Sequence, residues 1–256
     1  MPDLVTYAAG GAVARLTLDS PHNRNALSAT LVAQLHDGLR RAADDPAVRA
    51  VVLGHTGGTF CAGADLTEAT GGDPFDAALA RARELTALLR AIVECPVPVI
   101  AAVDGHVRAG GMGLVGACDI AVAGTRSTFA LTEARIGVAP AIISLTLLPK
   151  LAPRAAARYY VTGETFGAEQ AAGIGLVTEA AEDVAAAVDA LTDALGKASP
   201  RGLAASKALT TTAVLAGFDR DAARLAEESA RLFVSAEARE GMLAFLEKRP
   251  PNWAAP

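Results

Sequence analysis

The chain is poor in aromatic residues. Phe, Trp and Tyr make up 4% of its 256 residues, which leaves little to stack against nucleic-acid bases. Lysine is scarce as well: Lys150, Lys197, Lys207 and Lys248 are the whole set, and the other basic residues are arginines. The net charge is −5 with no run of like charge, so the clustered basic face of a nucleic-acid binder is missing. Three cysteines, Cys61, Cys95 and Cys118, show no CxxC or other metal spacing; they suggest reduced thiols in a cytoplasm rather than a disulfide framework. His22, His36, His55 and His106 are scattered and form no HExxH motif, so no metal is expected. No apolar run reaches the roughly 18 residues that a membrane span needs. The start, MPDLVTYAAGGAVARLTL, lacks the basic segment and long apolar stretch of a signal peptide. A cytoplasmic protein is expected, with neither membrane nor nucleic acid as partner.

What the chain does have is aliphatic content. It is 52% hydrophobic, enough for an ample core in one large domain. Val13 to Leu18 alternates as a half-buried strand does. Ser28 can cap a helix carrying Leu31, Leu35 and Leu39. AVRAVVLGH and VPVIAAVDG are short, nearly continuous apolar runs, the mark of strands covered on both faces. A helix is predicted over 75–95, and IAVAG and STFAL read as further strands. Beyond Pro149 helices dominate, predicted at LAPRAAARYYVTG, AEQAAGIG, 183–196, 201–216 and 219–248. The pattern is an α/β core over 1–195 followed by a helical region over 196–256.

Two glycine loops stand out, each after a predicted buried strand, where α/β folds place ligands. They are Phe60-Cys61-Ala62-Gly63-Ala64-Asp65-Leu66 and Ala109-Gly110-Gly111-Met112-Gly113. Glycines allow close backbone approach, and the second loop opens a helix, so its N–H groups point outward at the positive end of the dipole. Facing one another, the loops could hold a developing oxyanion; the same glycines would also serve two tight packing turns. Gly111 to Gly116 matches GxGxxG, but five residues separate it from the strand end near Val103, where a dinucleotide fingerprint needs a tight turn. Taken alone, Glu133 reads as a solvated carboxylate at a loop–helix junction.

FCAGADL, PVPVIAAVDG, AGGMGLVGACDIAVA, FALTEARIGVAP and EGMLAFLEKRPPNW occur in that order, and together they resemble the enoyl-CoA hydratase/isomerase (crotonase) family over residues 4 to 253. The resemblance implies a crotonase-like α/β spiral of ββα units with a helical C-terminal trimerisation region, assembled as a homotrimer or a dimer of trimers. It implies an oxyanion hole from the N–H groups of Ala64 and Gly110, with Gly111 beside them. It places coenzyme A, as part of the substrate and not as a resident cofactor, near Arg24, Ala26, Ala62, Asp65 and Leu66. Phe245 and Lys248, often from a neighbouring subunit, complete that site, and Pro140 lies at the acyl end. Family hydratases use two glutamates. One matches Glu133; the other position holds Gly113. Ala141 stands where some branches place an aspartate, and Asp119 is expected to be structural. Ile142, Ile143 and Leu145 replace a glycine-rich turn and suggest an apolar wall for the acyl chain. His106 and Arg108 precede the second loop where small or apolar residues are commoner; they suggest either steering of an anionic acyl group or an interface ion pair. Some relatives bind RNA through lysines on the first long helix, and this helix has none.

The implied chemistry is enolate stabilisation in fatty-acid or related acyl-CoA metabolism. Each preorganised donor contributes about 2.7–4 kcal/mol, and a general base adds about 10²–10⁴-fold, roughly 3–5 kcal/mol. One carboxylate can move a proton between C2 and C4 unaided, whereas hydration also needs a held water. Gly113 therefore leans the expectation toward an isomerase. A one-glutamate hydratase-lyase and a non-catalytic acyl-CoA-binding member of the fold are the alternatives.

Overall fold

The computed structural model describes residues 3–65, 68 and 72–254. Strands β1 (Val5–Gly10) and β2 (Val13–Leu18) form an antiparallel hairpin and are followed by helix α1 (Ala29–Asp44). Next come β3 (Ala50–His55), β4 (Thr59–Cys61) and α2 (Pro74–Glu94), then β5 (Val99–Val103), β6 (His106–Arg108) and α3 (Gly110–Ala117). A third pair, β7 (Ile120–Gly124) and β8 (Thr128–Ala130), leads through a 3-10 turn at Glu133–Ile136 into α4 (Ser144–Leu147) and α5 (Pro153–Thr162). The remainder is β9 (Phe166–Gly167), α6 (Ala168–Gly173), β10 (Glu179–Ala181), α7 (Val184–Gly196), α8 (Pro200–Phe233) and α9 (Ala236–Leu246).

Pairing turns this order into a spiral. The large sheet runs β1-β2-β3-β5-β7-β10 and the small one β4-β6-β8-β9. Each of the pairs β3/β4, β5/β6 and β7/β8 thus gives its first strand to the large sheet and its second to the small one. The expected spiral of ββα units with a helical C-terminal region is present. β3 shows why the apolar runs are continuous: Val51 and Leu53 face the main core, while Val52 meets Ile100, Val122 and Val188 on the α7 side. Covered on both faces, such a strand cannot alternate. The Ser28 cap also forms, its hydroxyl accepting from Leu31 N at 3.3 Å.

The helical boundaries near the end differ from expectation. The break expected at 217–218 lies at 234–235. A Cβ on Gly217 would meet nothing within 4 Å, so Gly217 serves no turn and α8 passes straight through it. The break falls where Ser235 caps α9, accepting from Ala238 N at 3.0 Å. Helix α8 packs along α2 and is anchored by buried Lys207. Its ammonium pairs with Asp119 at 2.7 Å and donates to Ile92 O at 2.9 Å and Val97 O at 3.3 Å. Asp119 also accepts from Val99 N at 2.7 Å, so its side chain stitches β5, β7 and α8 together.

Candidate active site

The ends of β4 and β6 deliver the two glycine loops side by side. A Cβ on Gly63 (φ +94°) would lie 2.7 Å from Ala109 Cβ and 3.4 Å from Gly110 N, and a Cβ on Gly110 would lie 2.8 Å from Leu27 Cδ1. Only glycine permits that approach. Ala109 itself adopts φ 46°, ψ −119°, a region costly for a residue with a Cβ. The strained turn starts α3 with Gly110 as its first residue. Among the described residues, neither the Ala64 nor the Gly110 N–H donates a hydrogen bond. Gly110 is buried and Ala64 exposed, so the pair lies at the border between interior and surface.

The first loop is held by the turn before α1. Arg24 and Asn25 both have positive φ, 60° and 54°. Buried Asn25 sustains this: its Oδ1 accepts from Ser20 N at 2.7 Å, and its Nδ2 donates to Thr56 O at 3.1 Å and Thr59 O at 2.8 Å. Backbone bonds from Ala62 N to Arg24 O, 3.1 Å, and from Leu27 N to Gly63 O, 2.7 Å, join turn to loop. Asn23 Nδ2 donates to Asp65 at 3.0 Å. Arg24, Ala26, Ala62 and Asp65 are therefore brought together, with Arg24 exposed; Leu66 lies outside the described residues. Sequence reading missed Asn25. Its signal was an asparagine in a turn flanked by apolar segments, where a side-chain amide can replace backbone partners. Cys61 is no nucleophile: burial pushes its thiol up to about 12.

Glu133 starts the 3-10 turn between β8 and α4, and it is not the solvated junction residue that bare sequence suggests. It is 8% exposed, and burial raises its carboxyl to about 7. Its Oε2 and the hydroxyl of Tyr160 are buried with no hydrogen-bond partner among the described residues. Tyr160 lies on α5, within the helix expected at LAPRAAARYYVTG, and no motif in the sequence singles it out. The turn is braced from the far end of the chain, for a Cβ on Gly241 of α9 would stand 2.5 Å from Ile136 C and O. A carboxyl poised near neutrality matches a general base or acid.

Around Gly113 the space for a second glutamate is filled. A Cβ there would lie 2.5 Å from Ile143 Cγ2 and 3.2 Å from Leu89 Cδ1. Thr146 Oγ1 donates to Gly113 O at 3.1 Å, locking α4 onto α3. Ile142, Ile143 and Leu145 are 4%, 3% and 6% exposed. Ile143 therefore fills the Gly113 position in the core instead of leaving a free wall, and Pro140 is buried beside this segment. Gly111 is equally crowded, for a Cβ there would lie 2.7 Å from Cys61 Cβ, which leaves no phosphate cradle along GxGxxG. Arg108 donates to Val107 O at 2.8 Å, Thr128 O at 2.7 Å and Thr128 Oγ1 at 3.0 Å. His106 Nδ1 meets the same hydroxyl at 2.8 Å. Both side chains are thus committed to β8. Phe245 is 61% exposed on α9, and Lys248 follows it in a positive-φ turn at 55°; the described contacts do not bring them to Glu133.

Known proteins share this chain's sequence and fold. A family model described as enoyl-CoA hydratase/isomerase matches residues 8–256. The crystal structure of an enoyl-CoA hydratase from Mycobacterium avium is 72% identical, with a TM-score of 0.94 over 99% of this chain and 100% of that one. A carnitinyl-CoA hydratase from the same species is 30% identical, with a TM-score of 0.85 over 100% of both chains. A carnitinyl-CoA dehydratase from Proteus mirabilis is 31% identical over 251 residues, 95% of each chain. With its spiral fold, its paired glycine loops and a family match over nearly its whole length, the chain belongs to the enoyl-CoA hydratase/isomerase family.

Proposed function

We propose that this enzyme binds an acyl-CoA thioester, receives the thioester oxygen between the N–H groups of Ala64 and Gly110, and moves a proton at C2 with Glu133. The observation that carries the reading is the buried Glu133 carboxyl, raised to about 7 by burial, on a fold with two bond-free N–H groups at one loop junction. Coenzyme A lies along Arg24, Ala26, Ala62, Asp65 and Leu66, with Phe245 and Lys248 meeting it across a subunit boundary. The region from residue 196 onward serves assembly.

Migration of a double bond between C3 and C2 is the favoured reaction, because Ile143 excludes a second carboxylate at Gly113. On one preparation, isomerisation of a 3-enoyl-CoA is expected to outrun hydration of a 2-enoyl-CoA. Gly113→Glu alone is expected to be destabilised by about 1–3 kcal/mol through overpacking. Gly113→Glu with Ile143→Gly is expected to gain hydration. Wild-type hydration faster than isomerisation would refute the lean, and an inactive but folded double variant would remove its explanation.

Leu243, Phe245 and Leu246 on α9 are 45%, 61% and 67% exposed, an apolar face that supports burial by another subunit. Light scattering is expected to give three or six times the chain mass; a monomer at micromolar concentration would refute assembly.

A further inference from the structure

Glu133 Oε2 and Tyr160 Oη are buried without partners among the described residues. An unpaired buried polar atom costs about 1–3 kcal/mol, so two at one place call for a group that bonds both. They do share a place. Helix α5 packs on the Glu133–Ile136 turn, and Arg135 Nε donates to Thr162 O at 3.0 Å. At the end of α5, a Cβ on Gly163 would lie 3.1 Å from Leu131 O. Carboxylate and phenol are near enough for the charge of Glu133 to help hold the phenol protonated, with burial the larger cause. They do not bond each other, so each keeps an open hydrogen-bonding position.

We propose that Tyr160 is the second oxygen-binding group of the reaction pocket: together with Glu133 it holds the water that adds at C3, or the 3-hydroxyl that leaves. The proposal rests on Glu133 as the base and concerns the slower hydration that accompanies isomerisation. The water gives one proton to the Glu133 carboxylate as its oxygen bonds to C3. The C2–C3 π electrons move to the thioester oxygen, and its enolate then takes the proton from Glu133 at C2. The water's other O–H donates to Tyr160 Oη, which keeps its own proton throughout. Tyr160 thus orients without titrating, a task for which Gly113 offers nothing and to which His106 and Arg108 are not free to turn.

Tyr160→Phe removes one oxygen and keeps the ring. Hydration of 2-butenoyl-CoA is expected to fall about 10- to 100-fold, as for a misplaced reactant, while C2–H exchange of butanoyl-CoA in D₂O changes by less than about threefold. Exchange needs Glu133 but no oxygen at C3, so it also reports that the variant is folded. Equal losses in both assays, or no loss in either, would overturn the proposal. Wild-type exchange without any hydration would overturn it too and leave Glu133 as base intact. Absence of both in the wild type would sink the Glu133 reading, and this proposal with it.

Discussion

Glu133→Gln is expected to lose about 10²–10⁴-fold in turnover, while acyl-CoA binding, measured by calorimetry, survives. The amide keeps the shape but accepts no proton at neutral pH. In the wild type the acid limb of kcat/KM should fall near pH 7, where burial has moved this carboxyl, and the variant should lack that limb. Stability should move the other way. The folded-state pKa lies above the unfolded one, so ionisation favours the unfolded chain. The resulting penalty begins as pH rises past the unfolded pKa of about 4.3 and is complete above the folded value, at on the order of 3 kcal/mol. At pH 8 the variant should therefore melt higher than the wild type, and at pH 4 the two should match. Full activity in Glu133→Gln would mean that another residue is the base. An unchanged melting temperature at pH 8 would mean that the carboxylate is solvated in the free enzyme.

Lys207→Met should produce the largest loss of stability. It removes the ammonium but keeps much of the apolar stem, so what is tested is Asp119 left behind without its partner. Breaking a buried pair in this way costs about 3–5 kcal/mol, which for a chain of this size corresponds to roughly 6–20 °C in Tm. The carbonyls of Ile92 and Val97 lose a donor as well. Lys207→Met with Asp119→Asn should recover part of the loss, because the neutral amide can still accept from Val99 N. A shift of only a degree or two in the single variant would show that water reaches the pair.

Much of this architecture is legible in the chain because local and global preferences agree. The unbroken apolar run of β3 means two covered faces, and Ser28 before Leu31 and Leu35 means a capped amphipathic helix. Disagreement arises where a residue has two meanings. Gly217 reads as punctuation, yet the long α8 absorbs it at the modest cost of a glycine inside a helix. β4 and β6 are short, and they owe their pairing to neighbours in the sheets rather than to their own pattern. The candidate site divides in the same way. The two glycine loops announce themselves by composition. The burial of Glu133 under α5, which carries Tyr160, and the occupation of Gly113's space by Ile143 exist only once α5 and α4 have packed, so no spacing in the sequence carries them.

The brace at Gly241 has a mechanical consequence. Because this residue has no side chain, the backbone of α9 rests directly on the backbone of Ile136, and the turn that begins at Glu133 has no soft layer beneath it. The last helix is therefore a backstop: whatever tilts α9 also tilts the carboxylate. If a neighbouring subunit grips the exposed edge of α9, assembly and proton transfer are geared through one glycine, and the alignment of the base becomes a property of the whole oligomer.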